Sequence, residues 1–276
     1  MMKVLAQLAA AATFFLVPTS LMATPIDLSD WVSFTLDAPG APPSANWVVQ
    51  PDGNSVTQTE NGNPTFFLDP GSTSAQGTAI AGKIQVQTSE DDDFIGFLLG
   101  SGVPGESYLI DWKQADQVVG PPGCAPATAG LAFSVLPAIP EFCDFQDHLG
   151  VEVARANTLG STGWEDFREY EFQILFTSTL IQVAVDGVLE LNVTSADAGV
   201  SEFKDGGFAF YNFSQEQVNY SALASAECAI GVDVLDCVSP LAAPAPQTLP
   251  LLLLCLVFCL RFRSGFARDS RELLVV

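Results

Sequence analysis

Glu90-Asp91-Asp92-Asp93 sets four carboxylates in consecutive positions between two apolar runs, Ile84 to Thr88 and Phe94 to Leu99. Adjacent like charges repel unless something positive compensates them, and a calcium ion would do so through several carboxylate and carbonyl oxygens. A solvated acidic hairpin tip accounts for the same residues equally well. Asp91, Asp92 and Asp93 are therefore candidate metal ligands, although the spacing is not that of an EF-hand. Asp52-Gly53-Asn54 and Asp205-Gly206-Gly207 also offer oxygens, but Asp or Asn beside Gly is ordinary turn chemistry.

Other chemistry has less support. The single histidine, His148, excludes a histidine metal cluster and would have to serve any serine triad alone, and no Gly-x-Ser-x-Gly elbow is present. Glu169 and Glu171 lie two apart on one strand face, a spacing that glycosidase carboxylates could use, but a solvated strand face needs nothing more. In Tyr108-Leu109-Ile110-Asp111-Trp112-Lys113 the alternation sends Tyr108, Ile110 and Trp112 to the core. Asp111 and Lys113 go to the opposite face, as a charged patch or part of a partner surface. Asn192, Asn212 and Asn219 each begin an Asn-x-Ser/Thr acceptor triplet.

These groups must be positioned by a β scaffold. Short apolar or alternating runs recur between turn residues: Trp47 to Val49, Thr65 to Leu68, Gly82 to Thr88, Phe94 to Leu99, Tyr108 to Lys113 and Gly130 to Val135. Glu169 to Phe176, Leu180 to Val185, Val188 to Val193, Gly207 to Phe213 and Val218 to Leu223 continue the series. Such spacing predicts a sandwich or barrel, with Asp186-Gly187 as a two-residue hairpin turn. The proline-rich stretch from Ala115 to Ala129 reads as a long surface loop.

The ends of the chain read as targeting segments. Lys3, the apolar run from Val4 to Val17 and the small residues up to Ala23 have the layout of a secretory signal, residues 1–23. Residues 24–230 then form one β domain and 231–248 a linker. Residues 249–263 are an apolar segment closed by Arg261 and Arg263, shorter than the roughly 20 residues that cross a bilayer comfortably, and 264–276 are a tail. Export places Cys124, Cys143, Cys228 and Cys237 in an oxidising compartment, where loop closure favours pairing Cys124 with Cys143 and Cys228 with Cys237. With 32 acidic against 10 basic residues and a formal net charge of −22, nucleic acid and anionic lipid headgroups are poor partners and cations good ones.

Four blocks resemble, in order, the carboxy-terminal lectin-like domain of thrombospondins. They are Asp91 to Phe97, Ser107 to Gln114, Gly163-Trp164-Glu165-Asp166-Phe167 and Phe208 to Glu216. The resemblance runs from about Leu28 to Cys228. It implies an all-β, concanavalin A-like jelly-roll sandwich that binds calcium and adheres through a glycan or extracellular protein, without catalysis. It also aligns Asp91 to Asp93 with the family's acidic block and Tyr108 to Lys113 with a segment assigned to receptor contact, Asp111 standing where the family has an apolar residue. Pro244-Ala245-Pro246, the apolar segment and the arginines are similar to a bacterial PEP-CTERM sorting tail, which would attach the protein to a membrane through its C-terminal segment.

Overall fold

A computed structural model describes residues 23–240 apart from 37–44, 103–104, 121–122 and 150. The expected signal up to residue 22, the apolar segment and the expected sorting tail lie outside the described residues, among which no helix is long and apolar enough to cross a membrane.

Two antiparallel sheets make an all-β jelly-roll sandwich. The first contains β1 (Thr24–Pro25), β3 (Trp47–Val49), β4 (Val56–Gln58), β6 (Thr78–Val86), β11 (Glu169–Phe176), β12 (Leu180–Val185), β13 (Val188–Thr194) and β15 (Val218–Glu227). Its order is β13-β12-β11-β6-β15-β4-β3, with β1 added beside β15. The second contains β2 (Val32–Thr35), β5 (Thr65–Leu68), β7 (Phe94–Ser101), β8 (Ser107–Lys113), β9 (Gly130–Leu136), β10 (Glu152–Arg155) and β14 (Gly207–Phe213). Its order is β10-β9-β8-β7-β14-β5-β2. Every expected run is a strand, several with identical ends, and Asp186 and Gly187 both take the positive φ that a type I′ hairpin requires (49° and 76°). The sequence pattern does not mark β1, β2, β4 and β10, which are two to four residues long.

Between the sheets lies an aromatic core in which Phe97 packs on Phe172, Phe208, Phe210 and Tyr220 at centroid distances of 4.5–6.3 Å. A second apolar cluster lies on the outer face of the second sheet. Phe66, Phe94, Leu98, Leu109, Tyr211 and Phe213 are covered there by Ala127, Phe142, Phe145 and Val151. Residues 115–129 are thus not simply a surface loop. With the 3-10 helix Phe142–Phe145 they form a cap stapled by Cys124–Cys143, and Phe145, 1% exposed, alone contributes about 2 kcal/mol of burial.

A smaller cover lies on the first sheet. Helix α1 (Val234–Cys237) packs on β11 and β12 with Val234 and Val238 buried, and Cys228–Cys237 closes its loop. Gln173 donates to the Val238 carbonyl, and the Val234 amide donates to Gln182 Oε1 at 3.0 Å. Residues 231–238, expected as linker, are therefore part of the packed domain. Both disulfides have the local pairing that loop closure favours.

Candidate functional site

The four motif blocks are far apart in sequence and converge at one end of the sandwich. Asp91 and Asp92 are half-buried, Asp93 is buried, and a carboxylate oxygen from each lies within 4.8 Å of the other two. The β6–β7 connection is held on every side by the other blocks. Asp93 receives a hydrogen bond at its carbonyl from Trp164 Nε1 (3.1 Å), and its amide donates to Gln215 Oε1 (3.2 Å). The Gln114 amide donates to the Asp92 carbonyl (3.2 Å), and Gln114 Nε2 donates to Asp166 Oδ1 (2.8 Å). Gly163 permits this closure because a Cβ there would meet the Gln114 carbonyl oxygen at 1.8 Å. From the β4–β5 connection, Asn61 donates to Asp91 Oδ2 and accepts from Ser214 Oγ at 3.2 Å.

Lys113 already supplies one positive charge. Its ammonium is fully buried, 2.6 Å from Asp93 Oδ1 and 3.3 Å from Asp92 Oδ1. It donates to the Asp92 carbonyl and lies 4.9 Å from the centre of the Phe94 ring. Three carboxylates against one ammonium leave an excess of negative charge, and the effect reaches Asp91. Burial, reinforced by the Asp93 and Asp92 charges, pushes its carboxyl above the usual range, against hydrogen bonds from the Asp92 amide and Asn61. This oxygen-rich, under-compensated set suits a hard divalent cation. Asp91, Asp92 and the Asn61 amide would hold it, while Asp93 is engaged mainly by Lys113.

Asp111 does share a face with Lys113, as the alternation requires, but neither is exposed. The cap covers that face, leaving Asp111 1% and Lys113 0% exposed, so the expected charged patch or partner surface is corrected to a buried pair of ionic contacts. Asp111 faces His148, whose Nε2 is 3.2 Å from Asp111 Oδ2, close enough for an ion pair although out of line for a good hydrogen bond. Asp111 Oδ1 has no hydrogen-bond partner among the described residues. His148 sits edge-on to Phe94 with φ 54°. Burial opposes its protonation, but Asp111, helped by Glu152 and against Arg155, raises its pKa above the ordinary value. Position 148 sits on the cap, so its meeting with Asp111 had no local signal in the sequence.

Asp52 and Asp205 are engaged within loops. Asp52 accepts from Asn54 and Ser55, and Asp205 accepts from Ser74, Ala75, Gln76 and Gly206. Burial opposes those bonds at Asp205 but they prevail and lower its pKa. Glu169 pairs with Lys83 at 2.5 Å on an open strand face shared with exposed Glu171. Of the three acceptor asparagines, Asn192 is exposed, Asn219 is half-buried and Asn212 is fully buried.

Residues 42–136 match the family model described as Thrombospondin C-terminal region. The chain is 29% identical over 220 residues to Thrombospondin-3 of Homo sapiens, covering 75% of this chain and 23% of that protein. It is 26% identical over 190 residues to Thrombospondin-2 of Gallus gallus, covering 64% and 16%. The chain thus spans less than a quarter of the length of these relatives. Among solved structures it is similar to the carbohydrate binding module CBM66 from Bacillus subtilis, with a TM-score of 0.45 and 11% identity over 71% of this chain and 95% of that one.

Proposed function

We propose that the protein is an exported, calcium-binding, lectin-like adhesion or matrix module. Its partner would be a glycan or extracellular protein, and its tail would hold it at a bacterial surface or in the exopolysaccharide. The observation that carries this reading is the convergence on Asp91, Asp92 and Asp93 of all four blocks that resemble the thrombospondin domain, around carboxylates whose charge Lys113 only partly offsets. A bound calcium ion would supply the missing charge and tie the β6–β7 connection to Asn61. Trp164, Gln114 and Gln215 hold the backbone of that connection, so order gained there would pass to the loops at this end of the sandwich.

Calorimetric titration of the full chain with calcium tests this. Saturable binding, lost when Asp91 and Asp92 are both changed to Asn, is the expected result; no heat above a magnesium or chelator control removes calcium from the reading. Glycan arrays probed with the calcium-loaded chain test the partner class. A structural surface protein without a specific ligand is the second reading, favoured by one observation: Lys113 already gives Asp93 a counter-ion at 2.6 Å. Blank arrays together with absent calcium binding would establish that reading instead.

A further inference from the structure

Away from the acidic cluster, strand β2 forms one edge of the second sheet, and among the described residues nothing pairs with its outer side. Edge strands commonly carry lysine, proline or other charge that blocks further pairing. β10, at the opposite edge, carries Glu152 and Arg155 as an ion pair at 2.6 Å. β2 reads Val32-Ser33-Phe34-Thr35, with neither charge nor proline, and Val32 and Phe34 are 46% and 55% exposed on one face. The Leu36 amide donates to the Pro64 carbonyl. Amides alternate in an antiparallel ladder, so those of Val32 and Phe34 face β5 and those of Ser33 and Thr35 face outward.

Beside this edge runs an open groove of about 390 Å³ whose floor and walls include Phe34, Phe66, Leu98, Leu136, Ile139 and Phe145. Ile139, on its cap side, is 87% exposed. Among the described residues no lysine or arginine lines the groove. Asp69, Glu106, Glu141 and Asp144 adjoin lining residues in the chain, and Lys204, the nearby cation, is already 3.8 Å from Glu106. A free strand edge, an apolar trough and acidic surroundings together specify an occupant. We infer that β2 and the groove take an extended segment of a partner protein in which apolar and basic residues alternate, added as a further strand to the second sheet. Its backbone would pair with Ser33 and Thr35, its apolar side chains would enter the groove, and its basic ones would meet the acidic surroundings. A second copy of the chain suits the site less well, since two molecules of net charge −22 repel. A glycan also suits it less well, because among the described residues Ser101 and Ser107 are the only side-chain hydroxyls lining the groove.

The test is independent of calcium. Fluorescently labelled ten-residue peptides are titrated into the full chain by anisotropy: valine and lysine alternating, the same composition as five valines then five lysines, and valine alternating with glutamate. The alternating basic peptide is expected to bind at least tenfold more tightly than the block peptide and to weaken in high salt, and the acidic peptide is expected not to bind. Ser33→Pro removes an outward amide that no strand uses, so it should weaken binding at least tenfold at an unchanged Tm. Phe34→Lys, at an exposed position, should do the same if the proline variant fails to fold. Equal binding of the alternating and block peptides would mean non-specific attraction to an acidic protein and would overturn the inference. So would unchanged binding by a folded variant, or self-association of the full chain that Ser33→Pro abolishes.

Discussion

The Asp111–His148 pair permits a sharp test because its two halves stand on different layers and are both buried. Changing His148 to Asn keeps a residue that tolerates φ 54° and withdraws the imidazole, leaving Asp111, already with one unpartnered oxygen, as a charge without a counter-ion. Breaking a buried pair from one side costs about 3–5 kcal/mol, whereas replacing it with apolar groups is close to neutral. Asp111→Leu should therefore destabilise the parent by about 1–3 kcal/mol, yet recover most of the loss in the His148→Asn background. The coupling between the two sites should be at least about 2 kcal/mol. Urea unfolding of the full chain with disulfides intact measures all four corners of the cycle. The pH dependence supplies a second sign. With the His148 pKa raised above its ordinary 6.5, its contribution is fully present below pH 6.5 and is lost as pH rises through the folded value. In Asp111→Leu only burial acts strongly on the imidazole, so its pKa falls and stability should drop as pH falls through 6.5. The stability difference between the two proteins must then widen on acidification. A coupling under about 0.5 kcal/mol, or a difference that narrows toward acid, would refute the pairing as the lock between cap and sheet.

Three further outcomes follow from the same structure. Lys113→Met leaves Asp92 and Asp93 without their buried ammonium and should cost about 3–5 kcal/mol. If calcium takes these carboxylates, millimolar calcium should raise the Tm of that variant more than that of the parent, and an equal rise would separate Lys113 from the cation site. Replacing Cys124 and Cys143 by Ala should lower stability by about 3 kcal/mol, given their sequence separation of 19, and should expose the second apolar cluster to a hydrophobic dye; no change in dye binding would mean that the cap stays down without its staple. Gly96→Ala should prevent a folded product, because its Cβ would lie 2.0 Å from the Ile110 carbonyl oxygen on the neighbouring strand; recovery of folded protein by circular dichroism would contradict that clash.

Strand positions were legible because most depend on local pattern. Glu169 to Phe176 and Gly207 to Phe213 are long enough for turn residues and β-branched or aromatic content to mark both ends. β4 and β10 are too short for any period, and their partners rather than their own residues make them strands. The acidic cluster was legible for a similar reason, as its carboxylates are consecutive. What failed at Asp111 and Lys113 was an assumption about layers, since alternation assigns a face to each residue but not what lies on that face. Here the cap supplies Phe145 and His148 to the outer side of the sheet, and a face that would otherwise meet solvent becomes a second core containing two ionic contacts. The cap therefore meets the same strand that carries Lys113 to the proposed site. Lys113 reaches the acidic cluster at one end of β8, and two residues earlier on the same face Asp111 is paired to the cap. Loosening the cap would let water reach the ammonium that now faces Asp93, weaken its hold on that carboxylate, and leave more of the cluster's charge for an added cation. Calcium affinity should consequently rise when Cys124 and Cys143 are reduced. An affinity indifferent to that disulfide would mean that cap and acidic cluster are energetically separate despite sharing a strand.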